Sequence, residues 1–516
     1  MRPICQKAVV AAALGFLLAA CAGTVAPPGP PHRDASYALA DPRTTALGHV
    51  FEPLAERHPG LSGFDLIQSG RSAFDARFAL ARMAQRTIDA QYYIWAPDAI
   101  GRNMMAAMIA AADRGVRVRL LLDDLDIEGR DNAFATLAAH ANIEVRLFNP
   151  SADRSLGIGN QLFDFERVNH RMHNKAFVVD NTVAVVGGRN IADPYFSVDP
   201  DADFRDLDLL AAGKIVRDVS SNFDTFWNSA WAVPIHRLAP APKNPEELRA
   251  LEQRLQQKLQ SEPFPFRDDL REPLLEKLVA GLPQRLVWAK ATLFADRPDK
   301  PETEEPGVID DLRAAEGSGK IKQELLIESA YFVPTKDATQ RFCALVRRGV
   351  RVRVLTNSLA STDEVAVYGG YGHERDRLLR CGVELHELRP DAAYMRRQSP
   401  WPHTRSEAEL HTKAAVFDRA QVMIGSFNLD PRSRVLNTEM AVFVESPDLA
   451  GKVARFIDSG MMLANSFRLE LDKDGDTVWL GEDNGHEVRF CAPPSSSAWR
   501  RLQADMLGLL PIEWLL

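Results

Sequence analysis

Apolar and polar positions alternate along this chain in two different periods, and the periods take turns. Residues 87–95, "TIDAQYYIW", alternate with a period of two and predict a strand. Residues 101–115, "GRNMMAAMIAAADRG", carry apolar residues at helical spacing, and "VRVRLLLDD" (116–124) returns to a strand. The order strand, helix, strand, helix, strand predicts an α/β sheet flanked by helices.

The pattern then repeats. "RGVRVRLL" from Arg114 returns as "RGVRVRVL" from Arg348, an offset of 234, and "NIEVRLFNP" from Asn142 returns as "GVELHELRP" from Gly382, an offset of 240. "QYYIW" at Gln91 is matched with "AYFVP" at Ala330. Landmarks in one order at near-constant spacing indicate an internal duplication. The expected fold is therefore two tandem α/β domains, each a mixed sheet flanked by helices, related by a pseudo-two-fold with a site between them.

Each half carries the same chemistry. "HNKAFVVD" places His173 and Lys175 on one face of a strand, with Asp180 of opposite parity at the following turn. "HTKAAVFD" repeats this with His411, Lys413 and Asp418, 238 residues on. Each aspartate reads mainly as a turn former. Seven residues past each aspartate comes a small residue pair, then asparagine: Gly187, Gly188, Arg189 and Asn190, matched by Gly425, Ser426, Phe427 and Asn428. Small residues let backbone N–H groups approach an anion, and the asparagine amides add donors, so Gly188, Ser426, Asn190 and Asn428 read as phosphate-binding or supporting positions. Two histidines, two lysines and two asparagines around one concavity suit a phosphodiester. One neutral imidazole attacks phosphorus, the other delivers a proton to the leaving alcohol, and the lysines neutralise the oxygens. No carboxylate cluster suggests a metal, and no cofactor is expected.

Composition adds limits. The chain has 516 residues and a formal charge of −8, which argues against a nucleic-acid partner because such proteins show a basic footprint. Arg2 and Lys7 flank a 13-residue apolar run, Ala8–Ala20, which suits a secretory signal and is too short to span a bilayer. The run ends Leu18-Ala19-Ala20-Cys21, which resembles a bacterial lipobox, with Cys21 lipidated; an ordinary cleaved signal is the alternative. Loss of residues 1–20 would leave −10. Ala22 after the cysteine is compatible with outer-membrane sorting, so a periplasm-facing, lipid-anchored protein of the cell envelope is expected. Residues 21–46 are rich in Pro, Ala and Gly and read as a tether. The expected division is a signal over 1–20, the tether, a first domain over 47–235, a linker over 236–283 and a second domain over 284–516.

Cys343, Cys381 and Cys491 form no metal-ligand pattern. Cys343 and Cys381 sit in apolar helical contexts and read as buried free thiols, a disulfide being the alternative. "DKDGDTVW" from Asp472 lacks full calcium-ligand spacing and reads as a hairpin turn. Two long segments lead into the motif strands, Ser151–Met172 and Asp391–Leu410. The second mixes Tyr394, Met395 and Trp401 with Arg396, Arg397 and Arg405, which suits a lipid headgroup rim as well as an ordinary exposed loop. The C-terminal "LGLLPIEWLL" reads as packing on the second half, with lipid contact as the alternative.

The paired H-x-K-x4-D motif resembles the HKD signature of the phospholipase D superfamily, and the resemblance covers almost all of the chain after its signal. "RMHNKAFVVDNTVAVVGGRNI", "NSLASTDEVAVYGGY", "GSFNLDPRS" and "LLPIEWLL" are similar to the bacterial cardiolipin synthase C branch. The resemblance implies that His173, Lys175, Asp180, His411, Lys413 and Asp418 form the catalytic set, with His173 the nucleophile that becomes a phospho-histidine and His411 the acid/base. It also implies a carboxylate behind each histidine. Aligning "RDLDLLAAG" with "LNTEMAVFV" gives Asp208 and Glu439 that part, with Asp206 as competitor. The implied reaction is phosphatidyl transfer onto phosphatidylglycerol with phosphatidylethanolamine as donor. Hydrolysis as a phospholipase D is the alternative, and cleavage of nucleic acid is disfavoured by charge.

Overall fold

The computed structural model describes residues 35–509, apart from 128, 152–164, 268–279, 303–306, 308–320 and 397–406, together with Leu515. The signal segment and Cys21, most of the two long segments before the motif strands, and most of the C-terminal "LLPIEWLL" lie outside the described residues.

Both halves build the expected sheet. In the first, the order is Ile143–Phe148, Arg117–Asp123, Thr87–Tyr92, Ala176–Val179, Val183–Gly187, Asp208–Gly213 and Ser62–Ile67. The first three strands run parallel, joined by crossover helices such as Ala99–Asp113, and the remaining junctions are antiparallel. The second half repeats this with Glu384–Leu388, Arg351–Asn357, Glu324–Ser329, Lys413–Phe417, Gln421–Gly425, Met440–Glu445 and Val287–Ala295. Beyond Glu384–Leu388 that sheet continues in Ser466–Leu471, Thr477–Asp483 and His486–Phe490, and the turn between the first two is closed by the Asp472 carboxylate on the N–H groups of Asp474 and Asp476. The hairpin reading of this segment holds.

One strand belongs to both sheets. Val287–Ala295 pairs along most of its length with Met440–Glu445, while its start pairs with Ser62–Phe64 of the first half. The pseudo-two-fold therefore passes through an antiparallel strand pair, and the two sheets continue into each other. The helix Lys214–Trp227 buries Val216, Val219 and Phe223, and Pro447–Gly460 buries Leu449, Val453 and Ile457. Ile215, Val216 and Val219 share one core cluster with Leu449, Val453, Val416 and Ile424, so the halves are joined by packed apolar surface. The helix Pro245–Ser261, within the expected linker, lays Leu251 and Leu255 on the first-half core.

Asp180 and Asp418 take the turn positions assigned to them, with φ of 52° and 51°. Each carboxylate accepts three successive backbone N–H groups, from Gln85, Arg86 and Thr87 in one half and from Lys322, Gln323 and Glu324 in the other. They pin the hairpin to the start of the neighbouring strand. This corrects their inclusion in the catalytic set.

Cys343 and Cys381 form a disulfide, with Cα atoms 5.4 Å apart, which corrects the free-thiol expectation. Cys343 lies in the helix Lys336–Arg347, and Cys381 caps the helix Val365–Arg380. Sequence spacing could not show that two helix positions 38 residues apart face each other. Cys491 is free and exposed. Closing a loop of that length stabilises the folded state by about 4 kcal/mol on the chain-entropy argument. Cys343→Ser should lower the melting temperature by several degrees in non-reducing buffer and by nothing further in reductant; equal melting of variant and wild type in both buffers would contradict the bridge.

Candidate active site

The site is assembled where the two motif strands meet across the pseudo-two-fold. The segment before His411, Glu407–Leu410, pairs in parallel with Ala202–Arg205, and the backbone N–H of His411 donates to Arg205 O. On the other side, Met172 bridges Thr438, and the N–H of His173 donates to Thr438 O. Each histidine is thus laid beside the chain that leads into the other half's carboxylate.

His173 Nδ1 stands 2.9 Å and 3.0 Å from the two carboxylate oxygens of Glu439. His411 Nδ1 stands 2.7 Å from Asp206 Oδ2. The partner of His411 is therefore Asp206, which corrects the assignment of Asp208. Asp208 instead accepts from Arg77 Nη1 at 2.9 Å and Arg189 Nη1 at 3.1 Å, inside the first half. Register explains the error: Gly187 pairs with Asp208, but its equivalent Gly425 pairs with Ala441, so Glu439 corresponds to Asp206. A two-residue slip keeps a side chain on the same face of a strand, and alternation cannot detect it.

The small residues after each hairpin serve these carboxylates and not a phosphate. A Cβ on Gly188 would sit 2.5 Å from Asp206 Oδ1. Ser426 Oγ donates to Glu439 Oε2 at 2.5 Å, and its carbonyl lies 3.1 Å from His173 Nδ1. The asparagine oxygens are also engaged, which gives the two residues a structural part beside the supporting role expected of them. Asn190 Oδ1 accepts from Ile94 N–H and its amide donates to Tyr195 Oη, and Asn428 Oδ1 accepts from Tyr331 N–H. They fix the ends of the central strands.

The lysines lie beneath the histidines, with Lys175 Nζ donating to His173 O and Lys413 Nζ to His411 O, both at 2.6 Å. Lys175 is 1% exposed and Lys413 2% exposed. Burial is the main influence on every group here. It holds both imidazoles well below the ordinary histidine value, aided by the charges of the two lysines. It also holds Lys175 well below the usual lysine value and brings Lys413 down to about 8. The same burial raises Asp206, and raises Glu439 to about 7. A neutral imidazole that donates through Nδ1 to a carboxylate keeps its lone pair on Nε2, the arrangement a nucleophile needs.

Aromatic rings wall the site. Tyr93 meets His173 edge-on at 5.1 Å, Tyr195 meets His411 edge-on at 4.8 Å, and Phe204 stacks on His411 at 5.7 Å. Arg189 donates to the backbone of Asp206 and Tyr195, and the Arg432 charge acts on His173. None of these was picked out from sequence. Tyr93, Arg189 and Arg432 lie within quoted motifs, but the sequence holds no signal for the packing that brings Tyr195 and Phe204 in. Among the described residues, no group of three or more His, Cys, Asp or Glu is placed to hold a metal.

Asp206→Asn should lower kcat by a factor on the order of 10³–10⁴, because an amide favours the wrong imidazole tautomer, while the fold is retained. Asp208→Asn should instead destabilise by roughly 3–5 kcal/mol, leaving Arg77 and Arg189 buried and under-compensated. Steady-state kinetics and thermal unfolding on both variants separate the two positions; an Asp206→Asn enzyme of normal kcat would overturn the assignment.

Comparison with known proteins agrees with this geometry. The family described as "Cardiolipin synthase, PLD-like domain" matches residues 78–227 and 311–460, one copy in each half. The chain is 40% identical to cardiolipin synthase C of Escherichia coli (strain K12), an alignment covering 91% of this chain and 99% of that protein. It is 25% identical to cardiolipin synthase A of Pseudomonas syringae over 78% of this chain and 70% of the relative. The fold is also similar to that of phosphatidylserine synthase from Haemophilus influenzae, with a TM-score of 0.55 at 12% identity, covering 90% of this chain and 99% of that one. With a copy of the domain matched in each half and a near full-length relative at 40% identity, the chain belongs to the cardiolipin synthase family of phospholipase D-like proteins.

Proposed function

We propose that this enzyme transfers a phosphatidyl group between phospholipids, forming cardiolipin from phosphatidylglycerol and a second phospholipid, with phosphatidylethanolamine as the expected donor. The observation that carries the reading is the pair of imidazoles, each held at Nδ1 by a carboxylate of the other half above a buried lysine. His411 takes up a proton at Nε2 as the anionic phosphodiester binds. His173 Nε2 then attacks the donor phosphorus, the bond from phosphorus to the headgroup oxygen breaks, and His411 gives that oxygen its proton. His411, now neutral, takes the proton of the phosphatidylglycerol hydroxyl, the resulting oxygen attacks phosphorus, and the bond to His173 breaks. Lys175 and Lys413 hold the non-bridging oxygens as charge builds. The same intermediate opened by water would make the enzyme a phospholipase D.

An N-terminal lipid at Cys21 and a periplasm-facing site in the cell envelope are part of the proposal. The Cys343–Cys381 disulfide supports an oxidising compartment. Among the described residues, no helix is long and apolar enough to cross a membrane.

Purified enzyme with phosphatidylglycerol and phosphatidylethanolamine in vesicles should yield cardiolipin by mass spectrometry; phosphatidic acid as the sole product would favour the hydrolase. His411→Ala should accumulate a phosphatidyl adduct on the peptide containing His173, whereas His173→Ala should show neither adduct nor turnover. An adduct on His411 in the latter variant would reverse the roles, and activity without an adduct in either would remove the covalent step.

The pH dependence follows from Lys413. Its ammonium, at about 8, loses its charge as pH rises through that value, so kcat/KM of the free enzyme should fall above pH 8. Lys413→Arg, which stays charged, should lower the plateau but carry the alkaline limb above pH 10. A limb unmoved by that substitution would assign it to another group.

A further inference from the structure

The C-terminal helix, Ala498–Gly508, packs with one face only. Ala504 and Gly508 are buried against the helix Val365–Arg380, where a Cβ on Gly369 would sit 2.6 Å from Ala504 O. The opposite face carries Trp499, Leu502, Met506 and Leu509 at i, i+3, i+7 and i+10, which are 65%, 48%, 59% and 83% exposed. That spacing makes one continuous apolar stripe. Exposed apolar residues scattered singly need no account, but four on one helix face do.

The stripe is placed at the rim of the active site. At the start of the helix, Arg500 donates to Leu359 O at 2.7 Å and to Thr362 O, fastening it to the loop that carries Asp363. Asp363 accepts from Tyr331 Oη, and its charge acts on Lys413. Beyond the helix the chain returns to the same rim, where Arg432 Nη1 lies 3.5 Å from Leu515 O. Arg432 is the residue whose charge acts on His173, and its short helix, Pro431–Val435, also presents Val435, 52% exposed, and Arg434. Apolar side chains and an exposed arginine therefore lie beside the segments that carry Asp363 and Arg432, whose charges reach Lys413 and His173.

We infer that the Trp499–Leu509 stripe, with Val435 beside it, is a docking surface for a phospholipid bilayer that seats the active-site opening on the leaflet. The inference takes its partner from the proposed phospholipid chemistry and rests on that reading. A leaflet supplies both what the stripe can enter and what the site consumes. Shallow insertion of one helix face with flanking arginines is the usual interfacial geometry. A second copy of the chain fits less well, since a stable interface takes roughly 800 Å² from each partner and one four-residue stripe is narrow for it. A copy seated there would also cover the site.

The test uses the full chain on vesicles of phosphatidylglycerol and phosphatidylethanolamine, with brominated chains in one set. Bromine should quench tryptophan emission, and Trp499→Phe, which keeps the stripe apolar, should lose most of the quenching. Because this reads contact at Trp499, an N-terminal anchor does not mask it. Leu502→Ser/Met506→Ser should need about 10–100 times more vesicle lipid for half-maximal rate, yet match wild type on short-chain phosphatidylglycerol and phosphatidylethanolamine below their micellar concentrations. Val50→Ser, an equally exposed apolar site on the helix Ala46–Arg57, should change neither. Undiminished quenching in Trp499→Phe, equal vesicle rates, or a dimer that the double variant converts to monomer would each overturn the docking surface. Quenching at Trp499 without phospholipid turnover would keep it and reject the proposed reaction.

Discussion

Each imidazole in the cleft is held by a carboxylate that the other half of the chain supplies. Glu439 reaches back to His173, and Asp206 reaches forward to His411. Four ionisable groups buried this deeply would be costly in either half alone, where each would face either water or an unpaired neighbour. Docking the halves satisfies them together. That constraint accounts for the features that join the halves: the strand shared by both sheets, the parallel pairing of Ala202–Arg205 with Glu407–Leu410, and the apolar cluster between the helices Lys214–Trp227 and Pro447–Gly460.

The symmetry is imperfect where it touches the chemistry. Gly188 leaves room for the short Asp206 side chain, while Ser426, its equivalent, holds the longer Glu439 through a hydroxyl. Arg189 braces Asp206, and its counterpart Phe427 is an apolar core residue. Glu439, without an arginine partner among the described residues and raised to about 7, and Asp206, raised by burial that the Arg189 charge partly offsets, give the two histidines unlike surroundings. Unlike surroundings are what a nucleophile and an acid/base require of two otherwise matching residues.

Much of this was legible in the sequence because duplication and alternation are strong signals. The sheet type, the tandem halves and the two motif hairpins follow from them, although His173, Lys175 and His411 stand just before the strands Ala176–Val179 and Lys413–Phe417. Two of the errors share one cause. Gln91 was matched with Ala330, yet Gln91 lies opposite Ala176 as Glu328 lies opposite Ala414, so its true counterpart is Glu328. Asp208 was matched with Glu439 by a slip of the same size. Both slips are of two residues, to which a period of two is blind; only ladder register separates them. The Cys343–Cys381 pair depended on helix packing, and the contacts of the Asn190 and Asn428 oxygens on strand ends that meet only in the folded chain. In both cases the residue types were read correctly and their neighbours were not.

The central claim is that the carboxylates fix the imidazole tautomers across the interface, and nitrogen NMR of histidine-labelled enzyme reads this directly. His173 and His411, assigned by single substitution, should each be neutral at pH 7 with the proton on Nδ1 and a bare Nε2. Glu439→Gln should disturb His173 alone and Asp206→Asn His411 alone. A proton on Nε2 of His173 in the wild type, or a Glu439→Gln enzyme in which only His411 responds, would contradict the account.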